Sequence, residues 1–304
     1  MRAFFIVNPA SRAGRTRSLW SQVEKALERL GWNYHWAFTE APRHATHLSA
    51  SALEEGYQLL VSVGGDGTFH EVVNGVLGSA SPRWEGTSLG MLPSGTGTDL
   101  AKTLGIPRAW EKALECLHQG RSRRLDVGSV SCLDREGNRI QRFFANIVDG
   151  GLGAATVQWV DSHPKRGGTL PFLMGALRTL ARHRNLRVRV TIDDRIERLL
   201  QAVIVIVANG KYFGGGMKIA PLADPTDGHF DVVLVKDLSP LKILRNLHRI
   251  YSGSHLELPQ VEVLRGKKVV LESEEEILLE ADGELLGRGP AEFNLHSQAV
   301  QVIC

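Results

Sequence analysis

Up to about Gly120 the chain alternates short β-rich runs with helical patterns, a rhythm that few architectures accommodate. "AFFIV" leads through a loop into a helix expected near Ser18 to Leu30, with Leu19, Val23, Leu27 and Leu30 as one apolar stripe. "YHWAF" alternates like a strand, and "HATHLSASALEEG" reads as a helix closed by Gly56. "YQLLVSV" and "TSLGML" are strands again, each followed by a glycine turn and a helix. Such alternation implies a mostly parallel sheet covered by helices, a Rossmann-like three-layer α/β/α unit. Ligands of such sheets collect at the carboxyl ends of the strands, and the glycine turns lie there.

After "RSRRLDVGSVSC" the rhythm changes to longer strands joined by tight turns, at "DREGN", at Asp193-Asp194, at Asp227-Gly228 and at Asp282-Gly283. Consecutive strands with turn signals suggest an antiparallel β-rich second domain of β-sandwich type, interrupted by helices near Leu170 to His183 and Leu241 to Tyr251. A chain of 304 residues is long enough for two cores. The expected domains are 1–121 and 122–291, and the last strand, "AVQVI", leaves open a return of 292–304 to the first.

Three turns are suited to phosphate: "NPASRAGR" after the first strand, "GGDGT" at Gly64 and "LPSGTGTDLA" at Leu92. Gly64, Gly65 and Gly67 let the backbone turn sharply before a helix, so that successive N–H groups form an anion-binding concavity. Asp66 among them would be repelled by phosphates unless a cation bridged it. Thr68 and Glu71 have the spacing of a capping box, which offers a purely local role. Gly95 allows close backbone approach, Thr96 offers a hydroxyl, and Thr98 or Asp99 suits a helix cap. "APLADPTDGHFDV" reads either as hairpin chemistry or as a hard-cation site in which one carboxylate is joined by backbone carbonyls. At "DGE", Asp282 and Glu284 stand two apart, a spacing that puts both carboxylates on one face of a strand as a general base and its supporter.

Other classes fit poorly. A Walker loop needs Gly before Lys-Ser/Thr, but Ala101 precedes Lys102-Thr103, and "GLGAAT" puts Thr156 where a dinucleotide fingerprint wants Gly or Ala. Lys plus Arg exceeds Asp plus Glu by 36 − 33 = 3, too little to argue for nucleic acid as a partner. Cys116, Cys132 and Cys304 make neither a disulfide framework nor a zinc site, which suits a reducing cytoplasm. The longest apolar run, "LLQAVIVIVA", is about half of the ~20 residues a membrane helix needs, so any membrane contact is expected to be peripheral. "PLKILRNLHRIY" reads as a core-packed helix with a solvated basic face, with an interfacial helix as the alternative.

As a set, "NPASRAG" at Asn8, "FTEAP" at Phe38, "GGDGTFHEVVNG" at Gly64, "LPSGTGTDLA" at Leu92, "LDVG" at Leu125, "NGKYFGGGMKIAP" at Asn209, "DGHFDV" at Asp227 and "DGE" at Asp282 resemble the diacylglycerol kinase catalytic-domain family, in particular its soluble bacterial lipid kinases. The resemblance implies an ATP- and magnesium-dependent kinase of a hydroxyl on diacylglycerol or a similar membrane lipid. Such an enzyme would be cytoplasmic and peripheral to the inner face of the membrane, with transient membrane contact and a homodimer admitted. It implies nucleotide contacts at Asn8, Thr39, Gly64, Gly65, Asp66, Gly67, Thr68, Glu71, Gly95 and Thr96. It also implies Asp66 as the acid serving phosphates and magnesium, Glu284 as proton acceptor with Asp282 beside it and Asp66 as the alternative in that role, and Asp227 as ligand of a second, structural magnesium helped by the carbonyls of Asp224 and His229. Arg12 replaces a glycine frequent in the first loop, and Thr98 an asparagine. A nicotinamide-nucleotide kinase, or an inactive nucleotide-binding regulator, is the alternative.

Overall fold

The computed structural model describes residues 1–79, 81–95, 97–162, 178–181 and 184–304. The chain divides into two compact units, Met1–Val127 with Ser297–Cys304, and Gly128–His296.

In the first unit, β1 (Arg2–Val7), β2 (Asn33–Phe38), β3 (Leu59–Gly64) and β4 (Ser88–Pro93) form a parallel sheet in the order β2-β1-β3-β4. Every residue of β3 is buried, as the unbroken apolar run requires when both faces of a strand are covered. The covering helices are α1 (Thr16–Arg29), α2 (His44–Glu54), α3 (Asp66–Leu77), the short α4 (Asp99–Leu104) and α5 (Trp110–Gln119). The stripe of α1 is rotated from the expected one. Trp20, Val23, Ala26 and Leu27 are buried, and Leu30 lies outside, because the Trp20 ring packs on Phe5 at 5.5 Å. Helices α2 and α3 cross at Gly75, where a Cβ would stand 2.0 Å from Ser49 Oγ and 2.2 Å from the Thr46 carbonyl.

The second unit is built from antiparallel strands. They are the end of β5 (Ser122–Leu133), then β6 (Arg139–Phe144), β7 (Ile147–Gly151), β8 (Leu186–Ile192), β9 (Ile196–Ala208), β10 (Phe230–Lys236), β11 (Val261–Gly266), β12 (Lys268–Ser273), β13 (Leu278–Ala281) and most of β14 (Glu284–Ile303). Helix α6 (Leu152–Asp161) follows β7, and α7 (Pro240–Ser252) follows β10. One ladder runs β11-β10-β9-β7-β13-β14, and a second joins β9 to β14 through β8 and β12. The long strands β9 and β14 therefore belong to both. The end of β14 rejoins the first unit, where Gln301 and Val302 pair in parallel with Ser88 and Leu89 of β4.

The apolar run in β9 is explained by two cores. Val205 and Val207 enter a cluster with Phe144, Phe230, Leu271 and Phe293, whereas Ile204, Ile206 and Ala208 enter another with Ile219, Val233 and Leu238. Period-two alternation thus sends neighbours to opposite faces, both of them dry. Asp227-Gly228 does not form the expected hairpin. Strand β9 ends at Ala208 and β10 starts at Phe230, so the pair ends a long loop, 209–229. Of the helix expected at Leu170 to His183, residues 178–181 are helical and the rest lie outside the described residues.

Candidate active site

Thr39, Asn8, Gly64 and Ser94 each stand at the carboxyl end of one of four neighbouring parallel strands. The Thr39 N–H donates to the Val7 carbonyl and the Asn8 N–H to the Val63 carbonyl, both at 2.9 Å, which fixes the rim of the sheet. Asn8 Oδ1 accepts from the Ala10 N–H at 3.0 Å, and its amide donates to Thr68 Oγ1 at 3.1 Å. The first turn is joined to the third through hydroxyls, since Thr16 Oγ1 lies 2.5 Å from Ser11 and 3.0 Å from Ser94.

The two glycine turns pack directly on one another. A Cβ at Gly95 would stand 2.4 Å from Gly65 Cα, and one at Gly65 would stand 2.9 Å from the Gly97 carbonyl. Glycine is required at both places by contact between turns. The N–H groups of Ser94 and Gly95 both donate to the Gly64 carbonyl, at 2.9 and 3.1 Å, and that of Asp66 to the Gly97 carbonyl at 3.1 Å. The concavity expected from the sequence is therefore partly closed by the turns' own hydrogen bonds.

Asp66 is the clasp between them. Its Oδ2 accepts from the Asp99 N–H at 2.8 Å and its Oδ1 from the Leu100 N–H at 3.2 Å, so a carboxylate from the first turn caps α4. Thr98, the residue that precedes α4, supplies no side-chain cap there. The Thr68 and Glu71 capping box does not form, because Gly65 is the residue that precedes α3 and Thr68 lies inside the helix. Glu71 instead accepts from the N–H groups of Arg43 and Ala45, both at 2.9 Å, and caps α2. Gly67 lies in the first turn of α3, and Thr96 lies outside the described residues.

A cavity of about 240 Å³ opens against the third turn, lined by Arg12, Pro93, Ser94, Gly95, Arg108 and Ala109. Arg12 adopts φ +53°, a left-handed conformation that glycine enters more easily. It nevertheless lines the cavity, and Arg108, to which the sequence analysis assigns no role, lines it as well.

In the second unit, Asp282 occupies the turn between β13 and β14 with φ +50°. It is not a strand residue, so the alternation that would align it with Glu284 does not apply. Its carboxylate accepts from the N–H of Ile147 at 2.9 Å and of Ala145 at 3.3 Å, while its own N–H donates to the Ile147 carbonyl. Asp282 thus shapes the turn, and Glu284, half-buried, opens β14 beside it. Beneath the turn lie two acids absent from the sequence reading. Glu280 and Asp149 are cross-strand partners, and both are buried. Glu280 Oε2 accepts from the Gly283 N–H at 2.8 Å, and Asp149 Oδ1 from the Ala154 N–H at 2.9 Å. Burial pushes Asp149 up to about 6, and burial together with the charge of Asp149 raises Glu280 well above the usual carboxylate range. Asp149 Oδ2 is buried without a hydrogen-bond partner, and the two raised acids stand side by side across the strands.

In loop 209–229 the expected metal ligands are engaged locally. Asp224 Oδ1 accepts from the Thr226 N–H and hydroxyl, and the Asp224 carbonyl from the Asp227 N–H at 3.3 Å. Asp227 accepts from the His229 N–H at 3.0 Å and pairs with Arg265, while His229 Nδ1 lies 3.0 Å from the Asp227 carbonyl. Among the described residues no three His, Cys, Asp or Glu side chains gather as a metal set. Asp231, part of the same acidic stretch but given no ligand role by the resemblance, is buried with both carboxylate oxygens lacking hydrogen bonds and Arg265 Nε 3.9 Å away. Burial raises its pKa, against the pull of Arg265. An orphaned carboxylate next to Asp227 fits a cation of the hard, oxygen-binding kind.

Residues 2–130 match the family described as the diacylglycerol kinase catalytic domain, and residues 146–304 match the YegS C-terminal NAD kinase beta sandwich-like domain. The chain belongs to the diacylglycerol kinase catalytic-domain family. It is 29% identical to a diacylglycerol kinase of Bacillus subtilis (strain 168), with 96% of this chain and 92% of that one covered. A diacylglycerol kinase of Staphylococcus carnosus (strain TM300) is 28% identical over 99% of this chain and 94% of its own length. Two crystal structures from Bacillus anthracis str. Sterne, one of them of a diacylglycerol kinase, cover 99% of this chain and 96% of theirs, with TM-scores of 0.78 and 0.72 at 23% and 21% identity. Those structures establish the fold. Membership of the family supports a kinase of the lipid-kinase class.

Proposed function

We propose that this family member transfers the terminal phosphoryl group of ATP to a hydroxyl of diacylglycerol or a similar membrane lipid. The observation that carries the reading is the row of interlocked turns at the rim of the parallel sheet, with Asp66 at its centre and Arg12 and Arg108 lining the adjoining cavity. Phosphoryl transfer asks chiefly for positioning and charge neutralisation, and backbone turns plus guanidinium groups offer both. Magnesium bound with the nucleotide would neutralise phosphate charge. Asp66 is the residue that would hold it. A second, structural magnesium would be held by Asp227 and Asp231.

Glu284 takes the proton from the acceptor hydroxyl. Asp282, whose carboxylate holds the segment Ala145 to Ile147, fixes the turn from which Glu284 projects, and the Gly283 N–H on Glu280 fixes it from below. The test is incubation of the purified protein with labelled ATP, magnesium and separate panels of lipids and NAD. Label in the organic phase is the expected result. Label on NAD would replace the reading with a nicotinamide-nucleotide kinase, and ATP binding without any transfer would leave a nucleotide-binding regulator.

A further inference from the structure

Among the described residues of the second unit, helix α7 carries the largest group of exposed large apolar side chains. Ile243 and Ile250 pack against the core around Ile204 and Val233, but no residue of the helix is fully buried. Of the seven large apolar side chains exposed among the described residues, four belong to α7 or the loop beside it: Leu241 at 76%, Leu244 at 48%, Tyr251 at 59% and Leu222 at 67%. Leu222 is carried to the end of α7 by its loop, whose Lys218 N–H donates to the Ile250 carbonyl at 2.9 Å.

The exposed residues are ordered. Leu241, Leu244 and Tyr251, at steps of three and seven, make a seam on one side of the helix. Lys242, Arg245 and Arg249, displaced by one or two positions, make a parallel basic row. The helix contains no acidic residue. Glu257 approaches Arg249 at 3.9 Å, and among the described residues no ion pair involves Lys242 or Arg245. A solvated helix has no use for leucines on its wet face, whereas a helix in the plane of a membrane seats such a seam among acyl chains and its cations against acidic headgroups.

We propose that α7, with Leu222, docks the protein on an anionic membrane surface, inserting Leu241, Leu244 and Tyr251 between lipids while Lys242 and Arg245 meet acidic headgroups. The charge complementarity commits the surface to acidic phospholipid rather than to a second copy of the chain, which would bring the same cations face to face. The inference rests on the lipid-kinase reading only in that a bilayer-resident acceptor gives docking a purpose.

The experiment sediments the full chain with vesicles of phosphatidylcholine, alone or mixed with phosphatidylglycerol. The expected result is binding to the mixed vesicles that weakens as salt is raised. Leu241→Ser with Leu244→Ser lowers that binding on the order of tenfold. Lys242→Gln with Arg245→Gln lowers it similarly and flattens its salt dependence. Phosphorylation of a short-chain acceptor dissolved in water stays at the unsubstituted rate in both variants, a control for folding. A chain that remains in solution with acidic vesicles, or variants that bind them as well as the original, overturns the proposal. So does self-association that the double serine variant abolishes while vesicle binding persists. Binding to vesicles with no transfer to any lipid upholds docking and removes the kinase reading; transfer to the dissolved acceptor without vesicle binding does the reverse.

Discussion

The turn at Asp66 and the turn at Asp282 are built alike and supported differently. Each places an aspartate beside glycine, and each aspartate accepts two backbone N–H groups from a separate segment, Asp99 and Leu100 in one case, Ala145 and Ile147 in the other. The first is braced by a second glycine turn, and that second turn lines a cavity together with Arg12 and Arg108. The second is underlain by a buried pair of acids, one of which holds its Gly283 N–H. Aspartate in a glycine turn therefore signals a clamp on neighbouring backbone in both places. On the proposed function, what the clamp would present, a polyphosphate cradle or a proton acceptor, depends on what lies next to it.

The largest expected effect falls on the residue that the second clamp presents. Glu284→Gln leaves nucleotide affinity nearly intact and lowers transfer to lipid on the order of a hundredfold or more, read as kcat against the ATP dissociation constant. Unchanged turnover would leave both turns with structural roles only and erase the distinction between them.

A second difference is titratable. Asp149 and Glu280 are raised in the folded protein by burial and, for Glu280, by the neighbouring charge. A carboxyl group raised on folding binds more protons in the native state than in the unfolded one. Its contribution is therefore fully present below the ordinary carboxylate range and is lost as pH rises through about 6, where Asp149 titrates, and beyond for Glu280. Thermal unfolding followed across this range should show stability falling by on the order of a few kcal/mol as pH rises. Glu280→Gln keeps a donor for Asp149 at every pH and should flatten the decline. A wild-type profile without that fall would show that the two acids are not raised on folding.

The sequence carried the architecture further than the site. The alternation of strand and helix before Gly120 and the turn signals after it describe both units, and the motifs at Asn8, Gly64 and Leu92 fall on neighbouring strand ends. Local pattern misassigned the partners of the acids. Glu71 sits at capping-box spacing from Thr68, yet caps α2, and Asp66 caps α4 across the gap between two turns. Both bonds join residues distant in sequence, and spacing has no access to them. Glu280 and Asp149 were invisible for the same reason, because only strand register makes them neighbours. Helix α7 reads as core-packed with an interfacial helix as the alternative, and Ile243 and Ile250 do pack on the core, but periodicity could not tell that Leu241, Leu244 and Tyr251 lie uncovered.

The smallest expected effect is also the most direct test of the opening comparison. Asp66→Ala and Asp282→Ala each remove a carboxylate that caps two backbone N–H groups, so each should cost about 1–2 kcal/mol of stability, read as a lowered melting temperature. If the clamps act on different ligands, their functional losses separate. Asp66→Ala loosens α4 and the turns proposed to cradle phosphate, and should weaken nucleotide binding, measured by titration calorimetry. Asp282→Ala loosens the segment from Ala145 to Ile147 and the turn before Glu284. It should leave nucleotide binding unchanged while lowering kcat. Equal loss of nucleotide affinity in both variants would mean that the two turns share one ligand role, and the assignment of proton transfer to the second would fall with it.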